Sequence, residues 1–146
     1  MWAAFTIAGF TVEIAGDQAI CVRPAPPGTA LGPFPFAAPV TFLTADNPHG
    51  RTVPEAENDA RRTALAALLD DLGLDWLPAT GGDPQGDHLE PGAAIVGLDA
   101  AAATELGVRF DQAAIYRWEP EALHLVACAG DRHEVLGYTA VPLPSG

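Results

Sequence analysis

Apolar and polar residues alternate in several short segments near both ends of the chain, which is the pattern of half-buried β-strands. Segment 5–14 alternates on either side of Gly9 and predicts a strand with a bulge at that glycine. The turn at 15–18 leads into segment 19–23, so the chain is expected to open with a β-hairpin. Three more strands joined by short turns are expected to form an antiparallel meander at 113–118, 123–128 and 134–141.

In the middle of the chain, the apolar residues have the spacing of a long helix. Thr52 and Glu55 have the spacing of a capping box, which marks a helix start. The helix is expected to run from about 53 to 72 and to stop at Gly73, which suits a left-handed cap. Its expected inward residues are Leu65, Leu68, Leu69 and Leu72.

The inward face of this helix is expected to turn polar in its first two turns. Steps of four and three residues back from Leu65 reach Arg61, Asn58 and Pro54. The strand expected at 40–45 ends just before a polar segment, so its end and the helix start bring polar groups to one place. The residues expected to meet there are Asp46, Asn47, Asn58 and Arg61.

The next part of the chain predicts a short strand at 75–79 and another at 93–98. The loop between them, 80–91, is rich in Gly, Pro and carboxylates and is not packing material. Asp99 is expected to cap a short helix over about 100–110.

Two segments are expected to lie outside the regular elements. Segment 24–39 has six prolines and is expected to be an extended surface connection, with Phe34 and Phe36 pinning it to the core. The tail, 142–146, is expected to fray.

These elements together predict one α+β domain over residues 1–146. Its expected architecture is a mostly antiparallel sheet with one long and one short helix packed on one face. A chain of 146 residues, 49% of them hydrophobic, is large enough to bury a core without metal or disulfide support.

Charge narrows the classes of partner. The formal net charge of −12 repels phosphates, so nucleic acid is an unexpected partner. The chain has neither an apolar run of membrane-spanning length nor a positively charged leader, and the expected location is the cytoplasm, away from the membrane. Cys21 and Cys128 lie in apolar segments and are expected to be core thiols.

His88 and Glu90 are two residues apart and would point the same way in an extended segment. This arrangement suits a base oriented by a carboxylate, or a pair of metal ligands. A metal would need further ligands, for which His49, Asp46 and Asp83 are the nearby candidates, and no metal is expected. The alternative is that both side chains bond loop backbone and hold the glycine-rich turn in shape.

The polar residues near the helix start have structural alternatives as well. Thr44, Asp46 and Asn47 can end a strand and bond local backbone. Arg61 on an inward face needs a carboxylate or an anionic ligand, and Asp46 or Glu90 would supply a salt bridge. Gln112 can satisfy a bare helix end or face a ligand.

Three motifs in this part of the chain resemble one known family. The patterns TAxNPxGR, GGDPxGxHxEP and FxQxAI, with an Asn in the intervening helix, are similar to the bacterial family known as domain of unknown function 3293. The resemblance spans roughly 43–118, inside a family-like core of about 40–128. It implies a shared fold and a shared polar site, and it brings no established activity. The matching residues are Thr44, Asn47, Pro48, Gly50, Asn58, Gly82, Gly86, His88, Glu90, Pro91, Phe110, Gln112, Ala113 and Ile115.

The functional hypothesis is a polar pocket that binds a small polar or anionic molecule. Its candidate ligand-binding residues are Thr44, Asp46, Asn47, Asn58, Arg61 and Gln112. If the protein is an enzyme, His88 and Glu90 are the candidate acid/base pair and Arg61 the anion clamp. No nucleophile elbow, phosphate loop or dinucleotide fingerprint occurs, and no cofactor is expected. The alternative hypothesis is a non-catalytic, acidic interaction module that recognises a cationic protein.

Overall fold

The computed structural model of the protein describes residues 2–14, 16–82 and 89–144. Within these residues the chain forms nine β-strands, three α-helices and one short 3-10 helix. The strands are β1 (Phe10–Ile14), β2 (Gln18–Ala25), β3 (Ala30–Leu31), β4 (Val40–Thr44), β5 (Asp75–Gly82), β6 (Leu89–Val96), β7 (Ala114–Trp118), β8 (Leu123–Ala127) and β9 (His133–Pro144). The helices are α1 (Trp2–Phe5), α2 (Glu55–Asp71) and α3 (Ala100–Arg109), with the 3-10 helix at Pro48–Gly50.

Eight of the strands close into an antiparallel barrel. Neighbouring strands follow the order β2-β1-β5-β6-β4-β7-β8-β9, and β9 pairs in turn with β2. Gln18 lies opposite Pro144 and Ala25 opposite Gly137 in that closing pair, while β3 pairs with β9 in parallel. The prediction of an open α+β sheet with helices packed on one face is therefore wrong. Alternating sequence indicates which side of a strand is buried, and an open sheet and a closed barrel share that pattern.

The barrel has one hydrophobic core inside it and a second between its outer face and the helices. Val40 and Phe42 of β4 belong to the interior cluster. Leu43 of the same strand packs with Leu65 and Leu69 of α2 in the outer cluster. Successive side chains of a strand point to opposite faces, so β4 is covered on both sides and all five of its residues are buried.

The two longer helices lie close to the expected segments. α2 spans Glu55–Asp71 where 53–72 was expected, and α3 spans Ala100–Arg109 where 100–110 was expected. Both pack on the outer face of the barrel, beside β6 and β7.

Three expected helix-end features can be compared with the structure directly. Asp99 caps α3, since its side chain accepts a hydrogen bond from the Ala102 amide at 2.8 Å, and Gly73 follows α2 with a φ of +67°. The capping box of Thr52 with Glu55 does not form, because Pro54 occupies the cap position and makes no side-chain bond there.

The inward face of α2 is shorter than the sequence indicated. Asn58, Leu65 and Leu69 are its buried residues, and Leu68 is partly buried against the same cluster. Leu72 is 59% exposed, so its expected place in the core is wrong. It lies at the helix cap, where the chain turns away towards Gly73.

Both ends of the chain differ from expectation. Segment 5–14 is not one bulged strand, because β1 begins only at Phe10 and Trp2–Phe5 is helical. The hairpin of β1 with β2 and the C-terminal meander are confirmed. The tail prediction is wrong for 142–144, which pair with β2, while 145–146 lie outside the described residues.

The proline-rich segment is more structured than expected. Its first two residues extend β2, and Ala30–Leu31 forms β3 beside β9. Phe34 and Phe36 do anchor the segment, as expected, since their rings lie 4.8 and 5.8 Å from the ring of Trp118.

No α-helix in the described ranges is long and apolar enough to cross a membrane.

Candidate functional site

A cavity of about 390 Å³ lies at one end of the barrel, where β4 and β5 end and β6 and β7 begin. The segment after α1 runs across this end of the barrel. The apolar lining comes from α1, from the segment after it and from the barrel, and consists of Ala4, Phe5, Ile7, Ala8, Phe42, Ala113 and the side chain of Tyr116. The polar lining is on the strand ends and the following loops, and consists of Thr44, Asp46, Asn47, Thr52, Glu90 and Gln112.

Tyr116 holds the N-terminal segment over the cavity. Its hydroxyl donates a hydrogen bond to the Phe5 carbonyl and accepts one from the Gly9 amide at 3.1 Å. Gly9 in turn accepts a bond from the Gly82 amide, which ties the same segment to β5. Burial raises the pKa of Tyr116 to about 12, so the hydroxyl keeps its proton for the Phe5 bond near neutral pH.

Glycine at position 81 leaves room for an aromatic floor. A Cβ at Gly81 would lie 2.7 Å from the ring of Phe42. Phe42 stacks on Phe10 with ring centroids 4.9 Å apart, and Tyr116 packs against both. The floor of the cavity is therefore made of the aromatic side chains of Phe42 and Tyr116, and the small residue at 81 leaves room for the Phe42 ring.

Thr44, Glu90 and Gln112 form the centre of the polar wall. The Thr44 hydroxyl lies 2.9 Å from Oε1 of Glu90 and 3.3 Å from Oε1 of Gln112. The Gln112 amide nitrogen donates to the carbonyls of Asp46 and Phe110, both at 3.0 Å. Three distant parts of the chain are joined in this way at the mouth of the barrel.

Asn58 fastens the end of β4 to α2. Its side-chain oxygen accepts a bond from the Asn47 amide at 2.9 Å, and its nitrogen donates to the Asn47 side chain at 3.1 Å. The Asn47 side-chain oxygen also accepts a bond from the Val53 amide, and its nitrogen lies 3.5 Å from Oε2 of Glu90. Asn58 thus supports the wall from behind and does not itself line the cavity.

Asp46 is 2% exposed and is bound by Arg62 rather than by Arg61. Nε of Arg62 donates to one carboxylate oxygen of Asp46 at 2.8 Å, and Nη2 donates to the other. The hydrogen bond and charge of Asp46 raise the pKa of Arg62 further above its ordinary value. A buried carboxylate with a two-pronged guanidinium partner is a structural ion pair, and the same guanidinium also bonds the exposed carboxylates of Glu55 and Asp59.

Arg61 is occupied by backbone and by Asp111. Its guanidinium donates to the carbonyls of Ala45 and Phe110, and Nη2 lies 3.3 Å from Asp111. The expected salt bridge from Arg61 to Asp46 or Glu90 is therefore wrong. Arg61 joins the end of β4 to the segment that follows α3, and it is not among the cavity-lining residues.

The loop beside the cavity holds an unusual backbone. Asn47, His49 and Asp111 have φ values of 49°, 55° and 58°, in the left-handed region that side chains other than glycine rarely adopt. The His49 amide donates to the Asp111 carbonyl at 2.7 Å, which joins the two strained segments. Such conformations concentrate where surrounding contacts determine a site.

The structure brings together five of the eight candidate residues along the cavity. They are Thr44, Asp46, Asn47, Glu90 and Gln112. Asn58 and Arg61 lie behind the wall, and His88 and Asp83 lie outside the described residues, so the acid/base hypothesis and its metal variant stay predictions. In the described ranges, no group of three or more His, Cys, Asp or Glu residues is placed to hold a metal.

Sequence reasoning missed Arg62 and the aromatic floor. Arg62 lies four residues after Asn58 and three before Leu65, so helical spacing allowed it as readily as Arg61. The sequence placed Phe42 and Tyr116 in strands, but only the closed barrel shows that both residues line a cavity.

Comparison with known proteins gives a family and no activity. The family model described as "Protein of unknown function (DUF3293)" matches residues 43–115, half of the chain. No curated protein and no solved structure matches. The matched segment contains the last two residues of β4 and the whole of α2, β5, β6 and α3, together with all of the polar wall. The chain belongs to the DUF3293 family.

Proposed function

We propose that this protein binds a small molecule in the cavity at the mouth of the barrel. The observation that carries the proposal is the mixed lining of the cavity, which combines a polar wall around Thr44, Glu90 and Gln112 with an aromatic floor at Phe42 and Tyr116. Ligand sites in proteins are typically concave and mostly apolar, with a few placed polar groups that fix orientation. A volume of about 390 Å³ is in the range of such sites.

The support given to the polar wall agrees with this proposal. Asn58, Arg61 and the Asp46–Arg62 pair hold the wall from behind, with Asp46 and Asn58 almost fully buried. A preorganised wall loses little conformational freedom when a ligand binds. The proposed ligand is therefore amphipathic, with its polar end at Thr44 and Gln112 and its apolar part on the aromatic floor.

The proposed function is ligand binding, and catalysis on the bound ligand stays a separate hypothesis. Glu90 lies on the polar wall, where a carboxylate can hold a ligand or accept a proton. Its suggested partner in acid/base chemistry is His88, so the pair is tested by assaying His88→Gln and Glu90→Gln against any ligand that proves to be a substrate.

A thermal-shift screen of metabolites and metals tests the binding proposal, because a ligand that binds the folded state raises the melting temperature. Ala113→Trp is the blocking variant, since Ala113 is exposed and lines the cavity. Ala60→Trp on the exposed face of α2 is the matched control. We expect hits on the wild type and on Ala60→Trp that disappear on Ala113→Trp.

The interaction-module hypothesis predicts another result from the same protein. A screen with no hits, together with co-purification of a basic protein through the acidic surface, would contradict the binding proposal. The formal net charge of −12 is the property that such a partner would recognise.

A further inference from the structure

We infer that His124 and His133 form a binding site for a divalent transition-metal ion on the outer face of the barrel. Neither residue lines the cavity, and both lie outside the segment that the family model matches, so the site does not depend on the proposed binding function. The inference follows from the geometry of the two rings, from the carboxylate beside one of them and from the charges around them.

The register of β8 and β9 places the two histidines on one face of the barrel wall. His124 lies opposite Val135, and His133 is two residues before Val135 in the same strand. Residues two apart in a strand point to the same side, so the two rings are diagonal neighbours. Leu123 and Leu125, on either side of His124, belong to the interior cluster, which puts both histidines on the outer face.

The two rings meet through their nitrogens. Nδ1 of His124 lies 2.8 Å from Nε2 of His133, and the ring centroids are 5.0 Å apart. Two imidazole nitrogens bound to one metal, each at about 2.0–2.1 Å, are separated by about 3 Å. A small tilt of the rings therefore turns this contact into a pair of metal ligands.

Without a metal, the two facing nitrogens share a single proton. A neutral imidazole has one N–H donor and one acceptor nitrogen, so one ring donates to the other. His133 is exposed, and its proton can pass from Nε2 to Nδ1 through water. Both facing nitrogens then offer a lone pair to the metal.

Glu119 orients the ring of His124. Its Oε1 lies 3.4 Å from Nε2 of His124, which is the nitrogen that does not face His133. A carboxylate beside that nitrogen favours a proton there and leaves the Nδ1 lone pair directed at His133. Metal-binding histidines commonly have such a carboxylate behind the ring. Glu119 is therefore a positioning residue for the metal site.

The neighbouring cations are directed away from the pair. Arg117 lies opposite His124 on β7, and its guanidinium donates to the Thr41 hydroxyl on β4, the strand on the other side of β7. The guanidinium of Arg132 lies over the ring of Trp2. The formal net charge of −12 attracts a dication to this surface.

The donor set selects the class of metal. Imidazole nitrogens suit late transition metals, and the affinity of a given site rises from Mn²⁺ to Cu²⁺ and falls at Zn²⁺. Mg²⁺ and Ca²⁺ prefer oxygen ligands. In the part of the chain that the structure describes, no third His, Cys, Asp or Glu joins the pair, so water is expected to complete the coordination shell.

Calorimetric titration of the whole, untagged chain near neutral pH tests the site. The wild type is expected to bind one equivalent of Cu²⁺, with Ni²⁺ and Zn²⁺ weaker and Mg²⁺ not bound. Glu119→Gln is expected to weaken Cu²⁺ binding about tenfold, and His124→Gln and His133→Gln by more, because each removes a ligand. His49→Gln is the matched control, since His49 is an exposed histidine outside the pair, and it is expected to change nothing.

Two further measurements distinguish the site from loose attraction of a dication to an acidic surface. Electron paramagnetic resonance of the wild-type Cu²⁺ complex is expected to show coupling to two imidazole nitrogens. This measurement needs no variant, so it holds even if a substituted protein fails to fold. Ala113→Trp, which blocks the cavity, is expected to bind Cu²⁺ as the wild type does, so the metal site and the cavity proposal can fail separately.

Three results would overturn the inference. The first is no binding of Cu²⁺ by the wild type, which would leave the two histidines as a hydrogen-bonded pair. The second is binding that both His124→Gln and His133→Gln retain, or that His49→Gln weakens equally, because the metal would then lie elsewhere. The third is a resonance spectrum of the wild type with a single coupled nitrogen.

Discussion

Asn58 shows how one polar residue on a buried helix line serves the structure. Its amide makes two bonds to Asn47, one of them to a backbone amide that no apolar residue could satisfy. We expect Asn58→Leu to lower the free energy of unfolding by about 1–3 kcal/mol, because it leaves the half-buried Asn47 without the bonds that Asn58 makes to its backbone amide and its side-chain oxygen. Chemical denaturation measures the change, with Glu57→Leu on the exposed face of the same turn as control. An unchanged or higher stability for Asn58→Leu would contradict this structural role of the amide.

The buried Asp46–Arg62 pair gives a second prediction for single residues. Arg62→Met leaves the Asp46 carboxylate buried without its partner, and we expect a loss of about 3 kcal/mol in the free energy of unfolding. Asp46→Asn in the same protein is expected to recover part of this loss, so the two changes will be non-additive. The control is Arg51→Met, since Arg51 is exposed. Additive effects would show that the pair contributes no coupling.

Tyr116 gives a prediction for alkaline pH. Burial raises its pKa from 10.0 to about 12, so the folded state holds the proton longer than the unfolded state does. This stabilisation is fully present below pH 10.0 and is lost as the pH rises to about 12. Denaturation across that window is expected to show a fall of about 2 kcal/mol that Tyr116→Phe removes. Burial also raises the pKa of Cys128, to about 11, and the Cys128→Ala variant removes the contribution of this thiol to the fall in stability. An equal fall in wild type and Tyr116→Phe would exclude the tyrosine as its origin.

Individual residues show what the sequence could predict about the site. Thr44 lies at the end of a buried strand, and Asp46 and Asn47 follow that strand, so the sequence alone indicated their position at one end of the core. The sequence did not indicate whether Arg61 or Arg62 would bind Asp46, because a helix turns by about 100° per residue and both positions lie near its inward face. Which of them reaches Asp46 depends on how α2 is rotated on the barrel.

At the scale of elements, the end of β5 controls the shape of the cavity. Gly81→Ala would place a Cβ 2.7 Å from the Phe42 ring, so the ring or the strand end must shift. We expect a loss of about 1–3 kcal/mol in stability, as for other overpacked cores, and weaker ligand binding. Thermal denaturation and titration measure the two effects. Phe42→Leu replaces the ring by a smaller side chain and should reduce the loss of stability caused by Gly81→Ala. An equal loss of stability in the Phe42→Leu protein would show that the clash is not with the Phe42 ring.

Helices and turns were the elements that the sequence specified best. The sequences of α2 and α3 have helical apolar spacing, with Gly73 after the end of α2 and Asp99 at the start of α3. Each of these features depends only on residues a few positions apart in the sequence. α1 was mistaken for part of a strand because the alternation of β1 continues back through Phe5 and Ile7. Its position depends on a distant contact, the Tyr116 hydroxyl, which no local pattern contains.

At the scale of the whole molecule, the sequence did not predict that the sheet closes into a barrel. Closure pairs 18–25 with 137–144, so it joins segments separated by more than a hundred residues. The strands involved have the same alternation in an open sheet, and the curvature that joins the edges is distributed over all eight strands. Closure also creates the cavity, because it brings the N-terminal segment over the ends of β4 to β7.

The central claim is that this cavity is a ligand site, and an amide-resolved NMR titration of the whole protein with the strongest metabolite hit of the thermal-shift screen tests it most directly. The account predicts that the amide signals of Gly9, Gly81 and Ala113 shift together and saturate with one dissociation constant, since these residues line one cavity. The signals of Leu72 and Val108, in the apolar groove between α2 and α3, are expected to stay in place. Shifts confined to Leu72 and Val108, or no saturable shift at Gly9, Gly81 and Ala113, would contradict the account.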